Sequence, residues 1–244
     1  MTGQHDHGRV LLLLGTSTGG VGRHVAALAA GLAEAGVSVA VAGPADTAAR
    51  FGFGGTGTAV VAVDIAAGLR PLRDLRAVLG IRRLLPEVTH AHGVRAGALA
   101  VLASWLRRDR PAVVVTLHNA PPAGGPASLV YRVLERIVAR GARVVLVGSP
   151  DRGGRVRAVG ARSVVAALVP APAGRPPQRS PEQVRAELGL GPRTRLLVTV
   201  ARLAPQKGLP VLADALAVLV RDRPDLDLLA VVAGDGPEGE AMAA

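Results

Sequence analysis

The sequence predicts an α/β fold in which a doubly wound parallel sheet is covered by helices on both faces. Three observations predict it. Short β-branched runs alternate with longer Ala/Leu/Arg segments along the 244 residues. The short runs are apolar at successive positions rather than at every second one, as strands buried on both faces require. Hydrophobic residues make up 49% of the chain and charged residues 19%, enough to build a core and too apolar for a disordered chain.

Taken in order, residues 10–14 read as the first strand, followed by the Gly-rich turn Gly15-Thr16-Ser17-Thr18-Gly19-Gly20-Val21-Gly22 and a helix over 23–35. Strands follow at 38–42 and 59–64. Residues 72–85 form a helix whose apolar stripe is Leu72, Leu75, Val78 and Leu79, with Arg73, Arg76, Arg82 and Arg83 around it. A short strand at 88–91 leads to a helix at 95–107. The run 112–117 is a strand that should be central. A helix at 129–140 and strands at 143–147 and 163–168 complete the first part.

A break comes next. Pro170, Pro172, Pro176, Pro177 and Pro181 fall close together, and proline at that density favours an extended linker. The alternation then restarts, with helices at 181–188 and 210–220 and strands at 196–200 and 228–233. The expected domains are residues 1–172 and 173–244. Two strands cannot bury both faces of a parallel sheet, so the second domain is expected to be incomplete.

Composition excludes several classes. The chain has no cysteine, which removes disulfides, cysteine zinc sites and thiol catalysis. Its only aromatic residues are Phe51, Phe53, Trp105 and Tyr131, too few for base-stacking platforms, so no nucleic-acid partner is expected. The net charge is +11 and is unevenly placed: residues 1–175 hold 21 Arg against 9 acidic residues, whereas residues 176–244 are close to neutral. Such a basic half attracts anionic partners, phosphorylated metabolites or acidic lipid among them. No signal segment is visible, and the longest near-apolar stretch, 96–106, is about half a membrane span. A cytoplasmic protein is expected, with peripheral contact at the inner face of the membrane left open.

Four segments carry chemistry. The loop 15–22 joins a strand to a helix, where backbone amides and the helix N-terminus form an anion site. It lacks the Gly-Lys-Ser/Thr of a P-loop. Gly15-Thr16-Ser17-Thr18-Gly19 also matches a nucleophile elbow, but only fourteen residues precede it and no upstream loop supplies an oxyanion donor. A dinucleotide site remains an alternative. His90-Ala91-His92 puts two imidazoles on one side of a strand, and with His118 they form a candidate metal set, lacking an evident fourth ligand. His118 follows the central strand and is expected to point into the crevice at its carboxyl end. Arg202 and Lys207 flank Leu203-Ala204-Pro205-Gln206 on a strand–helix loop, a spacing that can clamp a diphosphate. Lys207 is the only lysine of the chain.

Together these segments resemble glycosyltransferase family 4, retaining enzymes of the GT-B fold. Gly19-Gly20-Val21-Gly22 resembles the family's glycine loop, and His90-Ala91-His92-Gly93 its "HxHG" strand end. Val115-Thr116-Leu117-His118-Asn119 is similar to its active-site histidine segment, and Val147-Gly148-Ser149 to its interdomain approach. Arg202–Gly208 resembles the "R-L-x-x-x-K-G" phosphate clamp, and Gly234-Asp235-Gly236-Pro237 the "GDGP" turn. The chain departs from the family at 168–173, where a proline–asparagine–glycine step is missing. The family's donor-binding glutamates lie beyond the "GDGP" turn, so the resemblance implies an N-terminal portion of such an enzyme.

The resemblance also implies function. A sugar would move from a nucleoside diphosphate sugar to an acceptor with retention at the anomeric carbon. Gly19, Gly20, Gly22, Arg202 and Lys207 would bind the donor diphosphate, His118 would be catalytic, and His92 would lie on the acceptor side. No metal and no further cofactor is expected. The acceptor is expected to be anionic or lipid-linked, since Arg70, Arg73, Arg76, Arg82 and Arg83 crowd one helix and Arg107, Arg108 and Arg110 close another beside Trp105. The alternatives are a nucleotide- or dinucleotide-binding protein without transferase chemistry, or an inactive fragment.

Overall fold

The computed structural model describes residues 9–56, 58–66, 68–118, 124–167, 169 and 176–240. Asn119, residues 120–123 and the linker residues 170–175 lie outside them. The chain divides into two compact units, Met1–Ala173 and Gly174–Ala244.

The first unit holds seven strands: β1 (Arg9–Leu14), β2 (Ser38–Gly43), β3 (Ala59–Ala62), β4 (Val88–His92), β5 (Ala112–Leu117), β6 (Val144–Val147) and β7 (Val164–Ala166). They form one sheet in the order β3-β2-β1-β4-β5-β6-β7, and every neighbouring pair is parallel. The helices are α1 (Gly20–Glu34), α2 (Ala45–Phe51), α3 (Pro71–Leu84), α4 (Val94–Trp105), α5 (Gly125–Gly141) and α6 (Pro150–Ala158). The order reverses between β1 and β4, where the chain switches from building one half of the sheet to building the other. That is the doubly wound arrangement, and its ligand crevice lies outside the carboxyl ends of the strands at the switch point.

The run of leucines in β1 shows why the strands are apolar throughout. Leu12 and Leu14 enter a core with Val25, Ala29, Val41 and Phe53. Leu11 and Leu13 enter the opposite core, with Ile81, Leu99, Val115 and Val138. Successive side chains point to opposite faces, and here both faces are covered.

Two helices were not expected from the sequence. Helix α2 has only seven residues, and α6 carries Gly153, Gly154 and three arginines, so neither has a clear apolar period. The expected stripe on α3 is also corrected. The helix buries Ala77, Val78 and Ile81, whereas Leu72, Leu75 and Leu79 are 75%, 55% and 38% exposed. Ala77, Val78 and Ile81 take the core side of α3, and the Asp74 carboxylate, largely buried, pairs with Arg95 of α4, so the three leucines are left facing outward.

The second unit contains α7 (Pro181–Glu187), β8 (Arg195–Val200), α8 (Leu209–Asp222) and β9 (Leu228–Ala233). Ser180 and Gln183 form a capping box: Ser180 Oγ accepts from Gln183 N at 3.3 Å, and Gln183 Oε1 accepts from Ser180 N at 2.8 Å. Strands β8 and β9 are parallel neighbours. Their sheet leaves Val198 and Val200 exposed, as two strands must.

Candidate functional site

The site of the first unit is built on three strand ends. β1 pairs with β4 through Leu14 and His92, and β4 pairs with β5 through His92 and Thr116. The loop after β1, His92 at the end of β4 and His118 just past the end of β5 therefore occupy one rim of the sheet, at the switch point. His92 and His118 meet, with His92 Nδ1 3.2 Å from His118 Nε2. His90 Nε2 lies 2.7 Å from Thr116 Oγ1, which anchors it to β5. Gly93 follows at φ +93 and donates its N–H to Thr116 O, a backbone turn that favours glycine after the second histidine.

A fourth histidine joins them. His24 of α1 stands edge-on to His92 and His118, with ring centroids 5.5 and 5.9 Å apart. Burial drives all four rings toward the neutral form. It holds His90 at about 4, with repulsion from His24 and His118 adding to the effect. It holds His118 at about 4, helped by His24 and Arg152. His92 is pushed well below its usual value by burial and then by its three neighbours, and burial also lowers His24. Among the described residues no three histidine or carboxylate side chains are arranged to hold a metal ion.

The sequence reading missed His24 and Arg152. His24 lies one turn after Gly20 in α1, and the helical reading of 23–35 carried no signal that its ring meets those of His92 and His118. Arg152 sits in the first turn of α6, where Nη1 donates to Leu117 O at 2.9 Å beside His118. Behind it, the Glu135 carboxylate is 1% exposed and accepts two bonds from Arg155 Nε, at 2.9 and 3.0 Å. The guanidinium of Arg155 also lies 5.9 Å from the Tyr131 ring.

In the loop after β1, the glycines have different reasons to be glycine. A Cβ on Gly22 would fall 2.1 Å from the Phe51 ring, and its N–H donates to Ser17 Oγ at 3.1 Å. A Cβ on Gly19 or Gly20 would meet nothing within 4 Å. Space for a ligand therefore lies over Gly19 and Gly20, where the first-turn amides of α1 lack helical acceptors.

In the second unit, Arg202 and Lys207 are both exposed, and neither has an ion-pair partner among the described residues. Lys207 ends a 3-10 turn (Pro205–Lys207), and Gly208 at φ +63 starts α8. The loop after β9 is bonded to this one: Leu203 N donates to Asp235 O at 3.0 Å, and Glu238 N donates to Leu203 O at 3.1 Å. A Cβ on Gly234 would fall 1.8 Å from Ala201 O, and one on Gly236 2.2 Å from Leu203 O. The two glycines flanking Asp235 thus let the loops after β8 and β9 touch through their backbones, which fixes the loop that carries both cations.

The sequence matches the family model of the glycosyl transferase 4-like domain over residues 19–172. The chain belongs to the glycosyl transferase 4-like family. Solved structures agree on the fold. Anabaena Alr3699/HepE in complex with UDP and glucose is 22% identical with a TM-score of 0.70, over 97% of this chain and 63% of that one. A glycosyltransferase from Rickettsia africae ESF-5 is 15% identical with a TM-score of 0.68, over 96% and 62%. Sucrose-phosphate synthase from Thermosynechococcus elongatus is 15% identical with a TM-score of 0.60, over 93% and 62%. The fold of this family member is therefore GT-B-like, and the chain spans about 62–63% of the length of these structures. No curated protein matches the sequence significantly. Among the described residues no helix is long and apolar enough to cross a membrane.

Proposed function

We propose that this glycosyl transferase 4-like chain transfers a sugar, with retention, from a nucleoside diphosphate sugar to an acceptor hydroxyl. The observation that carries this reading is the neutral His92–His118 pair at the switch point, on the same rim as the glycine loop. The Anabaena relative is solved with UDP and with UDP-glucose, which makes a uridine diphosphate sugar the first donor to test.

The roles follow from the charges. As the bond between the anomeric carbon and the diphosphate oxygen breaks, its electrons leave with the diphosphate. Arg202 and Lys207 of the second unit supply cations for that charge, so no metal is needed in this reading, and the amides at Gly19 and Gly20 of the first unit are anion donors of their own. The acceptor oxygen bonds to the anomeric carbon, and its proton passes to the departing phosphate. Gly22 supports the loop through its packing on Phe51.

His118 works as a hydrogen-bond donor rather than as an acid. His92 Nε2 is buried without a partner. A buried N–H without an acceptor is rarer than a buried acceptor without a donor, so the unpartnered Nε2 bears the lone pair. His92 then carries its proton on Nδ1 and donates to His118 Nε2. That places the His118 proton on Nδ1, which in this reading donates to a hydroxyl of the sugar or acceptor.

The outward row Leu72, Leu75 and Leu79 on α3, with Arg76 and Arg83 beside it, supports contact with an anionic membrane and a lipid-linked acceptor. The dinucleotide reading rests on the strand order and the glycine loop alone. Isotope-labelled UDP-glucose separates the two. Label moving to an acceptor or to water, with His118→Ala lowering turnover far more than Tm, supports transfer. Binding of NAD with no movement of label supports the other reading.

A further inference from the structure

At the opposite end of the sheet, the first unit holds a basic cavity that none of the roles above uses. It has a volume of about 690 Å³ and is lined by Trp105, Arg110, Arg140, Arg143, Arg162 and Ser163, among others. Its residues come from the starts of β5, β6 and β7 and the ends of α4 and α5. All strands of this sheet run parallel, so their starts lie a full strand length from the rim that carries His92 and His118.

Arginines at helix ends have an ordinary reason to be there, because they complement the terminal carbonyls. For two of the helix ends near this face that task belongs to others: Arg82 donates to Leu106 O at the end of α4, and Arg107 to Leu85 O at the end of α3. Asp109, next to Arg110 in the chain, is paired with Arg107. By contrast Arg110, Arg140, Arg143 and Arg162 have no carbonyl or carboxylate partner for their guanidinium groups among the described residues, and no acidic side chain lines the cavity. All four are exposed, so their guanidinium groups are open to an anion from solvent.

Two further observations point the same way. Arg110 has φ +40, and it is the only non-glycine with positive φ among the described residues. Backbone held in this sparsely populated region clusters at ligand clamps. Trp105, 42% exposed, lies over Gly141, where a Cβ would come within 2.9 Å of its ring. An indole wall and four guanidinium groups suit a multiply charged, phosphate-bearing ligand, since guanidinium forks bind phosphate oxygens two at a time.

We propose that this cavity is a binding site for phosphate groups, separate from the donor site. The same chemistry could come from a soluble polyphosphate or from an anionic lipid headgroup. Trp105 is the only tryptophan, so its emission reports on the site without a label. The test titrates the protein at low salt with inorganic tripolyphosphate and, separately, with vesicles of phosphatidylglycerol or of phosphatidylcholine. A saturable change with tripolyphosphate assigns a soluble ligand. A blue shift with phosphatidylglycerol vesicles only, absent with phosphatidylcholine, assigns a headgroup. In either case Arg143→Gln with Arg162→Gln should weaken binding by about tenfold or more, since each arginine contributes charged hydrogen bonds. Arg202→Ala with Lys207→Ala should leave the Trp105 response unchanged, which separates this site from the donor clamp. No response of Trp105 to either anion, or a response that survives the Arg143/Arg162 pair of changes, overturns the proposal.

Discussion

His118 stands two residues past Thr116, the last β5 residue that pairs with β4, and its neutral state governs what the site can do across the physiological pH range. Its folded value of about 4, like that of His90, lies below the ordinary 6.5. Between those values the unfolded chain binds more protons than the folded one, so stability rises with pH there. It should be fully present above about pH 6.5 and lost as pH falls toward 4. A series of Tm measurements from pH 4 to 8 should be flat at the top and fall below 6.5, and His118→Gln should make the fall shallower. A Tm that is highest near pH 5 would contradict the buried, neutral cluster. The placing of His92 and His118 at one rim was legible in the sequence because one ends a strand and the other directly follows one, and parallel strands bring their carboxyl ends to one side. His24 was not, because its approach to His92 and His118 is a tertiary contact set by how α1 packs over the strand ends.

At the scale of elements, glycines and one ion pair set the loops. Gly22→Ala places a methyl group against Phe51, and overpacking of this kind costs about 1–3 kcal/mol. Gly20→Ala meets open space, so Tm should fall for the first substitution and hold for the second. Equal losses would mean that the Phe51 contact does not constrain the loop. The Glu135–Arg155 pair joins α5 to α6 and is lopsided, since Glu135 is buried and Arg155 is 38% exposed. Arg155→Ala strands a buried carboxylate and should cost about 3–5 kcal/mol. Glu135→Gln leaves an arginine that water can reach and should cost less, which urea unfolding of the two variants would compare. A larger loss for Glu135→Gln would reverse the assignment of the buried partner. Helix α6 escaped the sequence reading because tertiary pairing through Arg152 and Arg155, rather than an apolar stripe, holds it in place. The α3 leucines misled for the converse reason: a regular stripe was present, but Ala77, Val78 and Ile81 pack on the core and leave Leu72, Leu75 and Leu79 toward solvent.

At the scale of the whole molecule, strand order and charge were the most legible features. Unbroken apolar runs required a sheet covered on both faces, and the turn after the first strand located the loop beside the switch point. The four free arginines at the far end of the sheet were visible only as a basic excess, because they lie far apart in sequence. The outward leucines and arginines of α3 predict sedimentation with phosphatidylglycerol vesicles at low salt, and loss of it when Arg76 and Arg83 become glutamate. Retention of the protein in the supernatant would leave a soluble acceptor as the better reading. Most direct of all is a calorimetric titration with UDP. The account predicts that UDP binds and NAD does not. It also predicts that Arg202→Ala with Lys207→Ala weakens UDP by a few kcal/mol, at about 1.5–3 kcal/mol for each charged hydrogen bond lost. UDP affinity that is the same in the wild type and the double variant, or binding of NAD in place of UDP, would contradict it.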